Sequence, residues 1–136
     1  MKNFLTALVL GFSLLTSLAQ DPQAAAPAKA PLTRNVDVAK FDQLRAGTNV
    51  VILDVRTPAE YAEEHLPGSI LLNYRAPDFA EKVAKLDKSK AYLVHCAGGG
   101  RSARACTKME TLGFTNLVNL EGGLGAWKEA GKPVAK

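Results

Sequence analysis

One short stretch of the chain brings together a nucleophile, a cation and unusual backbone freedom: YLVHCAGGGRS, residues 92–102. Cys96 follows an apolar run, and the residues after it are Ala97, Gly98, Gly99, Gly100, Arg101 and Ser102. Glycine loses more backbone entropy on folding than other residues, so three in succession indicate a backbone that must adopt positive φ or approach a ligand closely. A cysteine in such a loop suits covalent chemistry, because its thiolate is a strong nucleophile.

The flanking elements predict where this loop lies. Residues 91–95 have the pattern of a buried strand, and apolar residues at helical spacing predict a helix from Ser102 to Leu112. Open α/β sheets bind ligands just outside the carboxyl ends of their strands. The backbone N–H groups of residues 97–101 and the helix N-terminus are therefore expected to converge on an anion beside or bonded to Cys96. The same field favours thiolate over thiol.

The rest of the chain predicts an α/β fold. From Asn35 onward, apolar runs alternate with helical patterns, and the predicted strands are 50–54, 69–72, 91–95 and 116–120. Three predicted helices span residues 38–46, 78–86 and 102–112. Two more are predicted, one with a capping box of Thr57 and Glu60 and one that starts at Gly122 or Gly123. Together these patterns predict an open, mostly parallel sheet of about five strands with helices on both faces.

Three segments are expected along the chain. Residues 1–19 have a basic start, an uncharged apolar run and small residues near Ala19, the pattern of a signal peptide. The alternative is a membrane anchor, but the apolar run, residues 4–18, is shorter than the roughly 20 residues that span a bilayer. We expect export to a bacterial periplasm, with no membrane attachment after cleavage. Residues 20–34, rich in Ala and Pro, predict a disordered linker, and residues 35–136 the domain.

Composition narrows the function classes. The 136 residues are 47% hydrophobic and 22% charged, as in ordinary globular proteins. The net charge is +4, but the basic residues form no run and are not interleaved with aromatic residues, which argues against nucleic-acid binding. The charge supports only a weak attraction for small anions. His65 has no second ligand at metal spacing, so no metal or other cofactor is expected.

Three charged residues near the second predicted helix are interpreted as structural support. Arg56 and Glu60 stand four residues apart at a helix start, the spacing of an ion pair. Asp54 ends a predicted strand, where it could hydrogen-bond the Cys96 loop or cap backbone N–H groups. The structural role is favoured for Asp54.

The remaining conspicuous residues are assigned to the fold. His95 precedes Cys96 in a strand, so its side chain points to the opposite face and it is a poor candidate for a base. His65 is expected to anchor a turn by hydrogen bonding. Cys106 lies in a helix leading away from Cys96, which argues against a disulfide and favours a buried core position, as for Trp127.

Several stretches together resemble one family. CAGGGRS, residues 96–102, is similar to the active-site loop of single-domain rhodanese (thiosulfate sulfurtransferase) domains, which often have the form Cys-x-x-Gly-x-Arg-Ser. LDVRTPAEYAEEHLPGSI, residues 53–70, resembles a second family signature, with Leu66 and Ser69 as mild departures. LGF, residues 112–114, and NLEGGLGAW, residues 119–127, resemble the C-terminal signature. The resemblance covers nearly all of the chain after the linker.

The resemblance implies a reaction. The Cys96 thiolate would attack the outer sulfur of a donor such as thiosulfate, release sulfite and retain a persulfide. A thiophilic acceptor (cyanide, a thiol or a protein) would then take the sulfur. The amides of residues 97–101 would hold the terminal sulfur anion. Arg101 would attract thiosulfate and stabilise sulfite, or form a salt bridge that stiffens the loop, and the two roles carry equal weight.

Two other function classes remain open. The first is a phosphatase or arsenate reductase. Protein tyrosine phosphatases and the rhodanese-like cell-cycle phosphatases use a Cys-x5-Arg loop, whereas Cys96 to Arg101 is Cys-x4-Arg. The shorter loop favours a single sulfur atom over a tetrahedral phosphate. The second class is a non-enzymatic interaction module, or a carrier that passes persulfide sulfur to one partner with little turnover of small donors.

Overall fold

The structure is a computed structural model that describes residues 32–136. The predicted signal peptide, residues 1–19, lies outside the described residues, as does the predicted linker up to residue 31. Within residues 32–136, no helix has the length and apolar character needed to cross a membrane.

Strands and helices alternate along the described chain. The strands are β1 (Thr33–Val36), β2 (Val50–Asp54), β3 (Ile70–Leu71), β4 (Ala91–His95) and β5 (Leu117–Leu120). The helices are α1 (Val38–Arg45), α2 (Pro58–Glu63), α3 (Phe79–Ala84), α4 (Gly100–Thr111) and α5 (Gly123–Glu129). The strands form one five-stranded sheet in the order β1-β5-β4-β2-β3, and all its pairings are parallel. The predicted α/β fold with an open parallel sheet is confirmed, and β4 is its central strand.

Helices cover both faces of the sheet, and each face has its own buried cluster. The α4-side cluster joins Tyr92 and Val94 of β4 to side chains of α3 and α4. The α1-side cluster joins Leu93 to side chains of α1 and α5. Successive side chains of a strand point to opposite faces, so β4 serves both clusters and is buried almost throughout. This burial holds the end of β4 in a fixed position.

The first strand is a departure from the sequence analysis, which places Thr33 and Arg34 in the linker. In the structure both residues belong to β1, which pairs with β5. The backbone N–H and the hydroxyl of Thr33 also donate to Glu110 Oε1 of α4, at 2.9 and 2.6 Å. The segment TRNV has no apolar run, so only its pairing with β5 defines it as a strand. The predicted strand 69–72 is shorter than expected, spanning only residues 70–71.

Candidate active site

Cys96 lies directly after β4, at the carboxyl edge of the sheet, as predicted. Its Sγ accepts a hydrogen bond from the Gly99 backbone N–H at 3.0 Å, and the Ser102 hydroxyl lies 3.4 Å from the same sulfur. Gly99 has φ +99° and caps α4, so the helix begins at Gly100, two residues earlier than predicted. The left-handed conformation favours glycine and turns the Gly99 N–H back toward the sulfur. The loop is thus shorter and tighter than the sequence analysis implied.

The surroundings of Cys96 stabilise its thiolate. Burial by itself raises the pKa of the thiol. Hydrogen bonds from the Ser102 hydroxyl and from the backbone N–H groups of Ser102, Gly99 and Gly98 together outweigh burial, and the pKa of Cys96 is lowered from its ordinary value. A lowered pKa at the N-terminus of a helix is characteristic of a reactive cysteine.

Ser102 can adjust to the charge on the sulfur. Its buried hydroxyl lies 3.1 Å from the Gly99 carbonyl oxygen and 3.4 Å from Cys96 Sγ. A hydroxyl has one proton and rotates to suit its partners, so Ser102 donates to one acceptor at a time. A thiolate is the stronger acceptor because it is charged. Ser102 therefore provides a donor to the anion and still has an alternative partner when the thiol is neutral.

The start of α5, directly after β5, supports the Cys96 loop from behind. The Leu124 N–H donates to the Cys96 carbonyl at 2.8 Å, and the Gly125 N–H donates to the Ala97 carbonyl at 3.1 Å. A Cβ on Gly123 would lie 2.4 Å from the Cys96 carbonyl oxygen, so only glycine fits there. The sequence analysis treats these glycines as a helix start and misses this contact. The sequence signal that could have indicated this contact is the Gly122-Gly123 pair just after β5, the strand next to β4.

Arg101 and Glu60 form an ion pair between α4 and α2. Arg101 Nη1 and Nη2 lie 2.8 Å from the two carboxylate oxygens of Glu60. The Arg101 guanidinium holds the pKa of Glu60 well below its usual range, and Glu60 in turn raises the pKa of Arg101. Glu60 also completes the predicted capping box with Thr57. Of the two predicted roles of Arg101, the structure displays the salt bridge that stiffens the loop.

The predicted pair between Arg56 and Glu60 is wrong. Arg56 is buried and donates instead to Asp54, with Nε 2.9 Å from Oδ1 and Nη2 2.7 Å from Oδ2, and to the Glu64 carbonyl at 2.7 Å. Arg56 lies before the helix and not on its surface, so the helical four-residue spacing does not apply. Asp54 also accepts from the Arg56 backbone N–H at 3.0 Å. Asp54 thus has the structural role favoured from the sequence.

His95 is separated from the sulfur by the sheet, as predicted. Its ring is fully buried and packs edge-on against Phe41 of α1, whereas Cys96 belongs to the α4-side cluster. Neither ring nitrogen has a hydrogen-bond partner in residues 32–136, and Nε2 lies 3.7 Å from Asp54 Oδ2. Burial lowers the pKa of His95, which favours the neutral ring. His95 therefore cannot serve Cys96 as a base.

The other residues assigned to the fold occupy the positions expected. His65 Nδ1 lies 2.9 Å from the Tyr61 carbonyl oxygen, and the His65 ring stacks on that of Tyr61. Trp127 is buried and donates from Nε1 to the Pro133 carbonyl at 2.8 Å. Cys106 is a free, fully buried cysteine of the α4-side cluster, and burial raises the pKa of its thiol to about 12.

The assembled site is a cysteine of lowered pKa inside a ring of hydrogen-bond donors. One short loop and the first turn of α4 form the ring. The start of α5 and the ion pair of Arg101 with Glu60 hold it in place. Within residues 32–136, no cluster of His, Cys, Asp and Glu could hold a metal ion. Such a site suits attack by Cys96 on an electrophilic atom and stabilisation of an anion that stays bonded to the sulfur.

Comparison with known proteins identifies the family. Residues 37–130 match the model of the rhodanese-like domain. A thiosulfate sulfurtransferase of the Arabidopsis thaliana chloroplast (number 16) is 36% identical over 115 residues, covering 77% of this chain and 93% of its own length. A sulfurtransferase of Allochromatium vinosum is 29% identical over 104 residues, 76% of this chain and 95% of that protein.

The solved structures agree with these sequence matches. The crystal structure of a rhodanese-related protein from Thermoplasma volcanium superposes with a TM-score of 0.66 at 32% identity. That match covers 75% of this chain and 97% of the other. With a family model, sequence relatives and a solved fold all in agreement, the chain belongs to the rhodanese-like domain family.

Proposed function

We propose that the protein is a rhodanese-type sulfurtransferase in which Cys96 carries the transferred sulfur as a persulfide. Its sulfurtransferase relatives support the reaction class. The observation that carries the proposal is the geometry at Sγ, where the Gly99 N–H donates at 3.0 Å and the Ser102 hydroxyl lies at 3.4 Å. These donors favour the thiolate needed for attack, and the same loop can hold a sulfur anion afterwards.

The first half-reaction takes sulfur from a donor of the thiosulfate class. The Cys96 thiolate attacks the outer sulfur of thiosulfate, and a bond forms between that sulfur and Sγ. The sulfur–sulfur bond of thiosulfate breaks, and its electron pair leaves with sulfite. Cys96 then carries a persulfide whose terminal sulfur holds the negative charge, so charge is conserved. No proton has to move, which is consistent with a site where His95 lies across the sheet.

The second half-reaction returns the cysteine to its starting state. A nucleophilic acceptor, such as cyanide or a thiolate, attacks the terminal sulfur of the persulfide. The bond from that sulfur to Sγ breaks, and its electron pair returns to Cys96 as thiolate. The donors around Sγ stabilise this leaving group as they stabilise the attacking thiolate in the first step. Cyanide yields thiocyanate, and a thiol acceptor becomes a persulfide.

Loop length supports sulfur transfer over phosphate chemistry. Gly99 caps α4 and Gly100 is already helical, so only three residues separate Cys96 from the helix. A ring this small favours one sulfur atom over a tetrahedral phosphate. A persulfide carrier with little turnover of small donors would use the same loop, and it differs from an enzyme only in its rates.

Intact-mass spectrometry tests the proposal directly. The reduced protein is incubated with thiosulfate, and we expect a mass increase of one sulfur atom that maps to Cys96 and disappears when cyanide is added with release of thiocyanate. Negligible turnover with a stable Cys96 persulfide would favour the carrier. Absence of any added sulfur, with hydrolysis of a phosphate ester, would overturn the proposal.

A further inference from the structure

A shallow pocket of about 320 Å³ lies between α4 and the segment that holds Tyr74. Its lining residues are Tyr74, Arg104, Thr107, Lys108 and Thr111, of which Arg104 and Lys108 are basic. Among residues 32–136, no carboxylate lines it. A cavity with two cations and no acidic residue is suited to an anion.

Two observations relate the pocket to the carboxyl edge of the sheet, where Cys96 lies. Arg104 Nη2 lies 3.9 Å from the position that a Cβ on Gly100 would occupy, so the guanidinium covers the first residue of α4. On the other wall, the Tyr74 backbone N–H donates to the Val55 carbonyl at 3.1 Å. The Val55 N–H in turn donates to the backbone carbonyl of His95 at 3.0 Å. Both walls therefore reach the carboxyl edge of the sheet, where the chain continues into Cys96.

The charges in this region divide into paired and unpaired groups. The Arg101 guanidinium is neutralised by the Glu60 carboxylate, with both contacts at 2.8 Å. The side chains of Arg104 and Lys108 form no hydrogen bond or ion pair with any residue of 32–136, and both residues are exposed. Arg104 is thus an uncompensated positive charge close to Gly100, the first residue of α4.

We propose that Arg104 binds the anionic, oxygen-bearing end of the sulfur donor, with Lys108 adding attraction from the next turn of α4. The inference rests on the proposed function and assigns substrate recognition to a residue other than Arg101. With the outer sulfur of thiosulfate at Cys96, the sulfonate end extends past Gly100 toward the pocket. When the sulfur–sulfur bond breaks, the electron pair passes to sulfite, and the Arg104 guanidinium stabilises the charge gained there. Arg101 holds the loop in shape.

The test measures the first half-reaction alone. Persulfide formation on Cys96 is followed by intact mass against thiosulfate concentration for the wild type, Arg104→Gln, Arg104→Lys and the control Lys90→Gln. Lys90 precedes β4 and so lies at the opposite edge of the sheet, and its loss removes the same charge. Discharge of the preformed persulfide by cyanide is measured separately for each protein.

Arg104→Gln is expected to raise the half-saturating thiosulfate concentration about fivefold, near the upper range for one exposed charge pair. Arg104→Lys should recover most of that loss, and added salt should weaken thiosulfate binding less in Arg104→Gln than in the wild type. Discharge by cyanide should stay unchanged. If Arg104→Gln matches Lys90→Gln, Arg104 does not bind the donor. A wild-type protein that forms no persulfide would instead overturn the proposed function.

Discussion

The two cysteines of this protein have nearly the same burial and opposite acid–base behaviour. Cys96 is 1% exposed and Cys106 is 0% exposed, and both belong to the α4-side cluster. The pKa of Cys96 is nevertheless lowered, whereas that of Cys106 is raised to about 12. Burial penalises the thiolate at both positions, so burial alone cannot distinguish a reactive cysteine from an inert one.

The difference lies in the backbone around each sulfur. Cys106 lies inside α4, where backbone N–H groups are committed to the helical hydrogen bonds. Cys96 precedes the same helix, and the first N–H groups of a helix have no partner within it. The N–H of the left-handed cap residue Gly99 donates to Sγ at 3.0 Å, and the Ser102 N–H in the first turn of α4 also lowers the pKa of Cys96. The position of a cysteine relative to a helix start therefore decides the direction in which its pKa is shifted here.

The largest expected effect tests whether only one cysteine carries sulfur. Cys96→Ser should keep the fold and abolish thiosulfate-to-cyanide sulfur transfer, because a hydroxyl cannot form a persulfide. Thiocyanate production is the measurement, with circular dichroism as the control for folding. Turnover well above background in this variant would show that another group carries the sulfur.

The second prediction disturbs the donors without touching the sulfur. A glycine inserted between Gly99 and Gly100 falls at the start of α4 and should misalign the N–H groups that face Sγ. Loss of one preorganised donor commonly costs on the order of 100-fold in rate, and we expect at least a comparable loss of turnover. Phosphate or arsenate should bind more tightly than before.

The measurements for this insertion are thiosulfate-to-cyanide turnover and the dissociation constants of phosphate and arsenate. A glycine inserted after Gly131, at the end of α5, serves as the matched control and should change neither quantity. Intact sulfur transfer and an unchanged anion preference in the Gly99–Gly100 insertion would reopen phosphatase chemistry.

The third prediction removes one donor to Cys96. Ser102→Ala deletes the hydroxyl that lowers the pKa of the thiol, so that pKa should rise. The thiolate fraction at neutral pH then falls, and persulfide formation should slow by about tenfold, the range for one hydrogen bond to a charged group. The pH profile of Cys96 alkylation should move to higher pH. An unmoved profile would assign the lowered pKa to the backbone N–H groups alone.

The smallest effect is expected at the second cysteine. Cys106→Ser should leave turnover within about threefold of the wild type, since its thiol is buried and its raised pKa keeps it protonated at neutral pH. In the wild type, alkylation of native protein should modify Cys96 well below the pH at which Cys106 reacts. A persulfide that no longer discharges in Cys106→Ser would make Cys106 a resolving thiol and end the contrast between the two residues.

The sequence was sufficient for the parts of the site that are close together along the chain. The strand before Cys96, the glycines after it and the capping box of Thr57 and Glu60 all follow from patterns of a few residues. Such patterns act through local hydrogen bonds and backbone preferences, which the tertiary structure leaves in place. The same reasoning correctly assigned Cys106 to the core, because helical spacing fixes which residues share a face.

Only the tertiary structure decided which distant groups meet. Glu60 pairs with Arg101 across 41 positions of sequence, and Arg56, which stands four residues from Glu60, turns to Asp54 instead. The contact of Gly123 with the Cys96 loop likewise requires β5 to lie beside β4. An ion pair or a close backbone contact depends on where whole elements dock, and docking depends on the packing of both buried clusters. No short stretch of sequence contains that information.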